Sequence, residues 1–298
     1  MPITLNRRQF LAGTTLALAQ GALNPVFAQP RSGPGRLKQS VARWCFGEIP
    51  IEEFCAALRD MGVTGTDLVG PEEWETCKKY GITPSIVQGA GSFLPAPAGS
   101  PRRFGPAFGW NRIEHHPELM ATARRNIDLA AAAGLPNIIG LFGDRQGMSD
   151  AEGIDNCVKG LRQIVPYLEE KRITLGIELL NSKVDHPDYQ GDNTPFGVEV
   201  CKQVGSERVK LVYDAYHMQI MEGNLIETIR ANIDYFSHIH VAGVPGRHEI
   251  DATQEINWRA VATAIADLGF QGYVAHEWTP TDPNPLGALR AAVDLLTV

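Results

Sequence analysis

The stretch "LVYDAYHMQIMEG", residues 211–223, opens as a buried strand and then sets Asp214 and His217 three residues apart, just where the strand should end. Alone, such a pair reads as a loop cap or as solvated side chains. The rest of the chain changes that reading, because the same unit recurs along it: a short β-rich run, a turn or polar residue, then a longer segment of helical period. Candidate strands lie at 41–47, 65–69, 82–89, 137–143, 174–180, 209–214, 236–243 and 273–278. Helical segments fall near 51–61, 72–79, 117–133, 150–170, 196–204, 223–231, 257–267 and 285–296, and several end in a glycine suited to a C-cap, as in "RDMG" and "ADLG". Eight strand and helix units in about 260 residues predict an α/β chain folded as a single-domain, closed (β/α)8 TIM barrel over 41–298. No glycine-rich dinucleotide or P-loop motif follows any strand, which excludes the commonest nucleotide sites.

Strand alternation places chemistry at one end of that barrel. Gly176 and Glu178 share a parity, as do Val212 and Asp214, His238 and His240, and Ala275 and Glu277. Glu178, Asp214, His240 and Glu277 therefore close four consecutive strands, whose C-terminal ends converge in a barrel. Three carboxylates at close range repel one another, so a cation is their natural counterpart. Three oxygen ligands and one imidazole suit a divalent metal, Mn2+ or Mg2+ first, with Co2+ or Zn2+ as alternatives. His217, Arg247 and Lys183 are the basic neighbours expected to hold substrate. His238 reads as a core histidine one layer deeper, His276 has outward parity, and His115 and His116 read as capping or surface residues.

Composition narrows the remaining classes. A formal charge of −7 gives no support to nucleic-acid or anionic-membrane binding, and 44% apolar residues suffice for a full core. The five cysteines are odd in number and lack CxxC spacing, which speaks against a zinc knuckle and leaves room for one disulfide in an oxidising compartment. At the N-terminus, "NRRQFLAGTTLALAQGALNPVFAQP" carries Arg7 and Arg8 ahead of a mild apolar run and a small-residue cleavage sequence, so residues 1–28 read as a twin-arginine export signal. The run is shorter than the roughly 20 residues that span a bilayer, so no stable membrane anchor is expected. A linker over 29–40, a periplasmic or exported mature chain and contact with the twin-arginine export machinery follow from this reading. Residues 90–116 are expected as an inserted loop that covers the site or contacts another subunit of a homo-oligomer.

At these residues the sequence resembles the xylose isomerase-like barrel superfamily, and within it the hydroxypyruvate isomerase-like group. "GIELLNSK" is similar to that group's E-P-I/L-N segment, "VYDAYHMQIMEGNL" to its Y-D-x-Y-H-M-Q-I-M-E-G-D/N-L, and "HIHVAGVPGRHEID" to its H-I-Q-x-A-D-x-P-G-R-H-E-P. The resemblance runs over about 41–297 and independently implies the barrel. It implies Glu178, Asp214, His240 and Glu277 as metal ligands, Glu178 and Glu277 also as an acid/base pair, and His217 and Arg247 as groups that hold substrate oxygens. His240 stands where hydroxypyruvate isomerases often have Gln, as in the related ketose 3-epimerases, while Leu179 and Gly243 replace an expected Pro and Asp. The expected activity is a metal-dependent isomerisation of a hydroxycarbonyl compound, a sugar or a hydroxypyruvate-like keto-acid, through a cis-enediolate. Alternatives are a ketose or keto-sugar epimerase, a lyase on an oxidised glycoside and, outside enzymes, a periplasmic sugar-binding protein. A repair endonuclease on this fold would call for more strand-end histidines and a basic groove.

Overall fold

A computed structural model describes residues 35–90 and 105–298. The expected signal (1–28), the first half of the expected linker (29–34) and residues 91–104 of the inserted loop lie outside the described residues. Eight strands, β1 (Lys38–Ala42), β2 (Gly65–Asp67), β3 (Thr83–Ala90), β4 (Asn137–Leu141), β5 (Thr174–Glu178), β6 (Val209–Asp214), β7 (Phe236–Val241) and β8 (Tyr273–His276), pair in chain order. The order β1 to β8 closes into a barrel, every neighbouring pair parallel, with β1 against both β2 and β8. Among the described residues nine helices cover it: α1 (Ile51–Met61), α2 (Trp74–Lys79), α3 (His116–Ala133), α4 (Asp150–Lys171), α5 (Thr194–Val204), α6 (Ala215–Met221), α7 (Leu225–Asn232), α8 (Trp258–Asp267) and α9 (Pro285–Leu296). None of the helices among the described residues is long and apolar enough to cross a membrane.

Two apolar layers hold this arrangement. One large cluster packs the helices onto the outer faces of the strands, and a small separate one, Ile86, Ile139 and Val212 with Leu68 against it, fills the barrel interior. Val212 shares its parity with Asp214, so the same alternation that fills the interior carries Asp214 inward one layer above.

The differences from the sequence reading have local causes. The first strand was expected at 41–47 but runs from Lys38 to Ala42, which takes residues 38–40 out of the expected linker. Its polar residues are tied down by the barrel: the Gln39 side chain donates to the carbonyl of Val293 and to Thr297, and Nε2 of His276 lies 2.8 Å from its Oε1. Residues 43–46 wind into a 3-10 turn, where Arg43 donates to the Phe46 carbonyl at 2.7 Å. The helix expected at 223–231 is α7, and a further helix, α6, precedes it directly after β6. Asp214 starts α6 by accepting from the backbone N–H groups of Tyr216 and His217, so the capping role is real.

The end of the inserted loop is anchored rather than free. Trp110 N–H donates to Leu141 and Asn111 N–H to Phe142, at 3.1 and 2.8 Å, along the exit of β4. Gly109 lies so close to the Phe142–Gly143 backbone that a Cβ would sit 2.1 Å from it, hence a glycine. Of the capping or surface role expected for His116, the first holds, its N–H closing the 3-10 turn onto Ile113, while its side chain is buried against the Trp110 carbonyl at 2.9 Å. All five cysteines are free thiols, Cys55 and Cys77 approaching to 3.8 Å between α1 and α2.

His276 gives a prediction about acid stability. It is fully buried, with one nitrogen against Gln39 and the other facing Trp278 Nε1, and burial pushes its pKa down to about 3. Below the unfolded value of about 6.5 the unfolded chain takes up a proton that the native chain refuses, so stability falls as pH drops, by about 1.4 kcal/mol per pH unit for this group. Urea unfolding of the wild type and of His276→Gln at pH 7 and pH 5 should show the variant losing about 2 kcal/mol less on acidification. Parallel pH dependences in the two proteins would contradict it.

Candidate active site

Glu178 ends β5, Asp214 ends β6, His240 is the fifth residue of β7, and Glu277 follows β8, its N–H donating to Val241 to continue the ladder. Their side chains meet. One ligand atom from each of these four buried residues lies within 4.8 Å of all the others. Nδ1 of His240 is the centre of the group, 3.0 Å from Glu178 Oε1, 2.6 Å from Glu277 Oε2 and 3.9 Å from Asp214 Oδ2. The two glutamates thus reach one nitrogen from strands three places apart around the barrel.

Arg247 closes the cluster from above. Its Nη2 donates to Asp214 Oδ2 at 3.1 Å and to Glu277 Oε2 at 2.6 Å, and its Nε donates to the Glu277 carbonyl. The residue sits at φ 57° in the turn after β7, and its guanidinium stacks over Tyr216 and the half-exposed Trp44. His217, buried at the start of α6, places Nε2 3.5 Å from Asp214 Oδ2. Four of the basic and acidic groups expected here from the sequence therefore do converge, and His217 and Arg247 stand beside them. Lys183 does not. It is exposed, and its Nζ donates to the carbonyls of Ile220 and Met221 at the end of α6, where an ammonium finds unpaired carbonyls and a favourable helix dipole.

The electrostatics are those of a carboxylate cluster short of positive charge. Burial raises Asp214 to about 7, against the pull of Arg247 and His240. Burial would raise Glu277 as well, but His240 and Arg247 hold it at about 2. His240 is driven well above the usual imidazole range by Glu277, Asp67 and Glu178, which outweigh its burial. Three carboxylates against Arg247 and a protonated His240 leave one negative charge uncompensated. A dication in place of the His240 proton would, with Arg247, close the balance, so Glu178, Asp214, His240 and Glu277 fit a divalent metal on charge and donor type alike.

The sequence reading placed His238 one layer deeper, where it is buried, but missed its partner there. Asp67, fully buried at the end of β2, has Oδ2 2.5 Å from His238 Nε2 and 3.4 Å from His240 Nε2, and its other oxygen accepts from Ser85. His238 and His240 hold this carboxylate far below its ordinary range although burial alone would raise it. A carboxylate behind a ligating imidazole fixes ring orientation in metal sites generally. The parity rule used for strands five to eight, applied to β2, would have found it. Trp44, whose Nε1 donates to Glu277 Oε1 at 2.9 Å, was also missed, since a tryptophan beyond a strand end carries no signal of its own.

Comparison with known proteins agrees with the barrel fold. A family model described as "Xylose isomerase-like TIM barrel" matches residues 72–297. The chain belongs to that family. A 2-oxo-tetronate isomerase of Cupriavidus necator is 35% identical over 108 residues, 36% of this chain and 41% of that relative. A D-psicose 3-epimerase of Enterocloster bolteae is 26% identical over 241 residues, 76% of this chain and 71% of that one. The chain spans less than half the length of the first curated relatives it matches. Among solved structures, a family 2 AP endonuclease of Brucella melitensis superposes with a TM-score of 0.71 at 22% identity, covering 85% of this chain and 97% of that one, a likeness of fold alone.

Proposed function

We propose that this family member is a metal-dependent isomerase that moves a proton between adjacent carbons of a hydroxycarbonyl compound, a sugar or a hydroxypyruvate-like keto-acid, through a cis-enediolate. The observation that carries the reading is the approach of two buried glutamates, Glu178 and Glu277, to one point from different sides of the barrel mouth. A dication held by Glu178, Asp214, His240 and Glu277, Mn2+ or Mg2+ by donor type, would polarise the carbonyl and acidify the neighbouring C–H. One glutamate removes that proton and the other is placed to handle the second oxygen or the opposite face. Arg247 and His217 supply donors above them, Trp44 fixes the Glu277 carboxylate, and Lys183 drops out of the substrate set. The charged pair Arg7 and Arg8 supports an exported, periplasmic setting for this chemistry.

A second reading, epimerisation, is supported by the match over 241 residues to the psicose epimerase. It uses the same residues, with the proton returned to the other face of the same carbon. Product analysis by NMR, after incubating the Mn2+-loaded protein with a panel of ketoses, keto-acids and keto-glycosides, tests both. A positional isomer supports the first reading and an epimer the second. Stoichiometric sugar binding with no new product, unchanged by chelation, would replace both with a binding protein.

A further inference from the structure

A neutral imidazole donates from one nitrogen and accepts at the other, so the position of its proton decides what His217 can do. The surroundings of Asn181, which is fully buried and lies three residues past the end of β5, fix that position. Asn181 Oδ1 accepts from the backbone N–H groups of Val184 at 3.0 Å and Asp185 at 2.9 Å, which settles the end of the amide that is oxygen. Its Nδ2 then has two hydrogens and two neighbours, Asp185 Oδ2 at 2.7 Å and His217 Nδ1 at 2.7 Å. Asp185 is itself held by the Tyr216 hydroxyl at 2.9 Å. Facing an amide N–H, Nδ1 of His217 must accept, and its proton must sit on Nε2.

Nε2 faces the acidic cluster, 3.5 Å from Asp214 Oδ2 and 3.1 Å from Arg247 Nη1. The ring cannot accept from Asn181 and from Arg247 at once. The amide contact is the shorter, and its donor end is fixed by two backbone partners, whereas Arg247 already donates to Asp214, to the Glu277 carboxylate and to the Glu277 carbonyl. Nη1 and Nε2 are therefore two donors side by side, and a substrate oxygen between them would accept from both.

We propose that Asn181 is a positioning residue that holds His217 as the neutral, Nε2-protonated tautomer, so that His217 donates a hydrogen bond to a substrate oxygen and takes no proton from it. A neutral imidazole can polarise a carbonyl in this manner. The use of the donor rests on the enolisation reading above; the tautomer does not.

The test is 15N NMR of the full-length, metal-free protein labelled at histidine, with the His217 signals assigned by their loss in His217→Gln. The wild type should show the proton on Nε2. The single change Asn181→Asp would set two carboxylates against each other at Asp185, so the informative variant is Asn181→Asp with Asp185→Asn, which reverses the donor direction and keeps the net charge. It should move the proton to Nδ1. It should also slow solvent deuterium exchange into D-psicose by about a hundredfold or more, the usual cost of one lost oxyanion donor, while Mn2+ affinity stays within a few fold. A wild-type proton on Nδ1, or an unchanged tautomer in the folded double variant, overturns the proposal. Should the wild type exchange deuterium into no compound of a panel of ketoses and keto-acids, the enolisation reading falls, and the nitrogen shifts still decide the tautomer.

Discussion

Replacing Glu178 with Gln is expected to lower turnover by about a thousandfold, within the range usual for a lost general acid or base, and to leave the fold intact. The change is nearly isosteric. It keeps an oxygen that can face His240, 3.0 Å away, and removes the ability to take and return a proton together with one of the negative charges proposed to hold the dication. The side chain is almost fully buried, so water cannot readily replace it as the base. Circular dichroism and urea unfolding should match the wild type within about 1 kcal/mol, the scale of a typical hydrogen bond. Full activity in this variant would remove Glu178 from the acid/base pair and leave the proposal without one of its two proton carriers.

The second large effect is expected at Asp214, for a different reason. One of its oxygens caps α6 and the other faces Arg247 and His240, so the residue serves the helix and the cluster together. In the wild type, Mn2+ at a hundred times its dissociation constant should stabilise the fold by about 2.7 kcal/mol. For a chain of this size that is a rise in Tm of about 4 to 5 °C. Asp214→Ala should lose the cap, costing about 1 kcal/mol, and should also lose most of the Mn2+-dependent rise. Asp214→Asn should keep much of the cap and still lose the metal response. A full rise in Asp214→Asn would show that the dication, if bound, sits elsewhere.

The parts of this molecule that were legible in the sequence are those governed by strand alternation. Residues two apart on a strand share a face, and the ends of barrel strands converge, so Glu178, Asp214, His240 and Glu277 could be brought together on paper before any coordinate was known. The parts that were not legible depend on where a side chain turns after its strand ends. Lys183 sits in the loop after β5, yet its long side chain is drawn to the open carbonyls of α6. Asn181, two residues earlier, reads as an ordinary loop amide until its four partners are seen. The polar opening of β1 hid a strand because its hydrogen bonds are made to α9 and β8, far away in sequence. His238 was read as a core histidine, and its partner Asp67 comes from the opposite part of the chain.

The central claim is that Glu178 and Glu277, around a dication, make and unmake a bond between carbon and hydrogen next to a carbonyl. The most direct measurement is incorporation of solvent deuterium, followed by NMR in D2O with the protein stripped of metal and then reloaded with Mn2+, on the same panel of ketoses and keto-acids. Deuterium should appear at the carbon beside the carbonyl with Mn2+ present, stop on chelation, and fall about a thousandfold in Glu178→Gln. Tight Mn2+ binding with no deuterium entering any compound of the panel would contradict the claim and leave the cluster as a metal site without this chemistry.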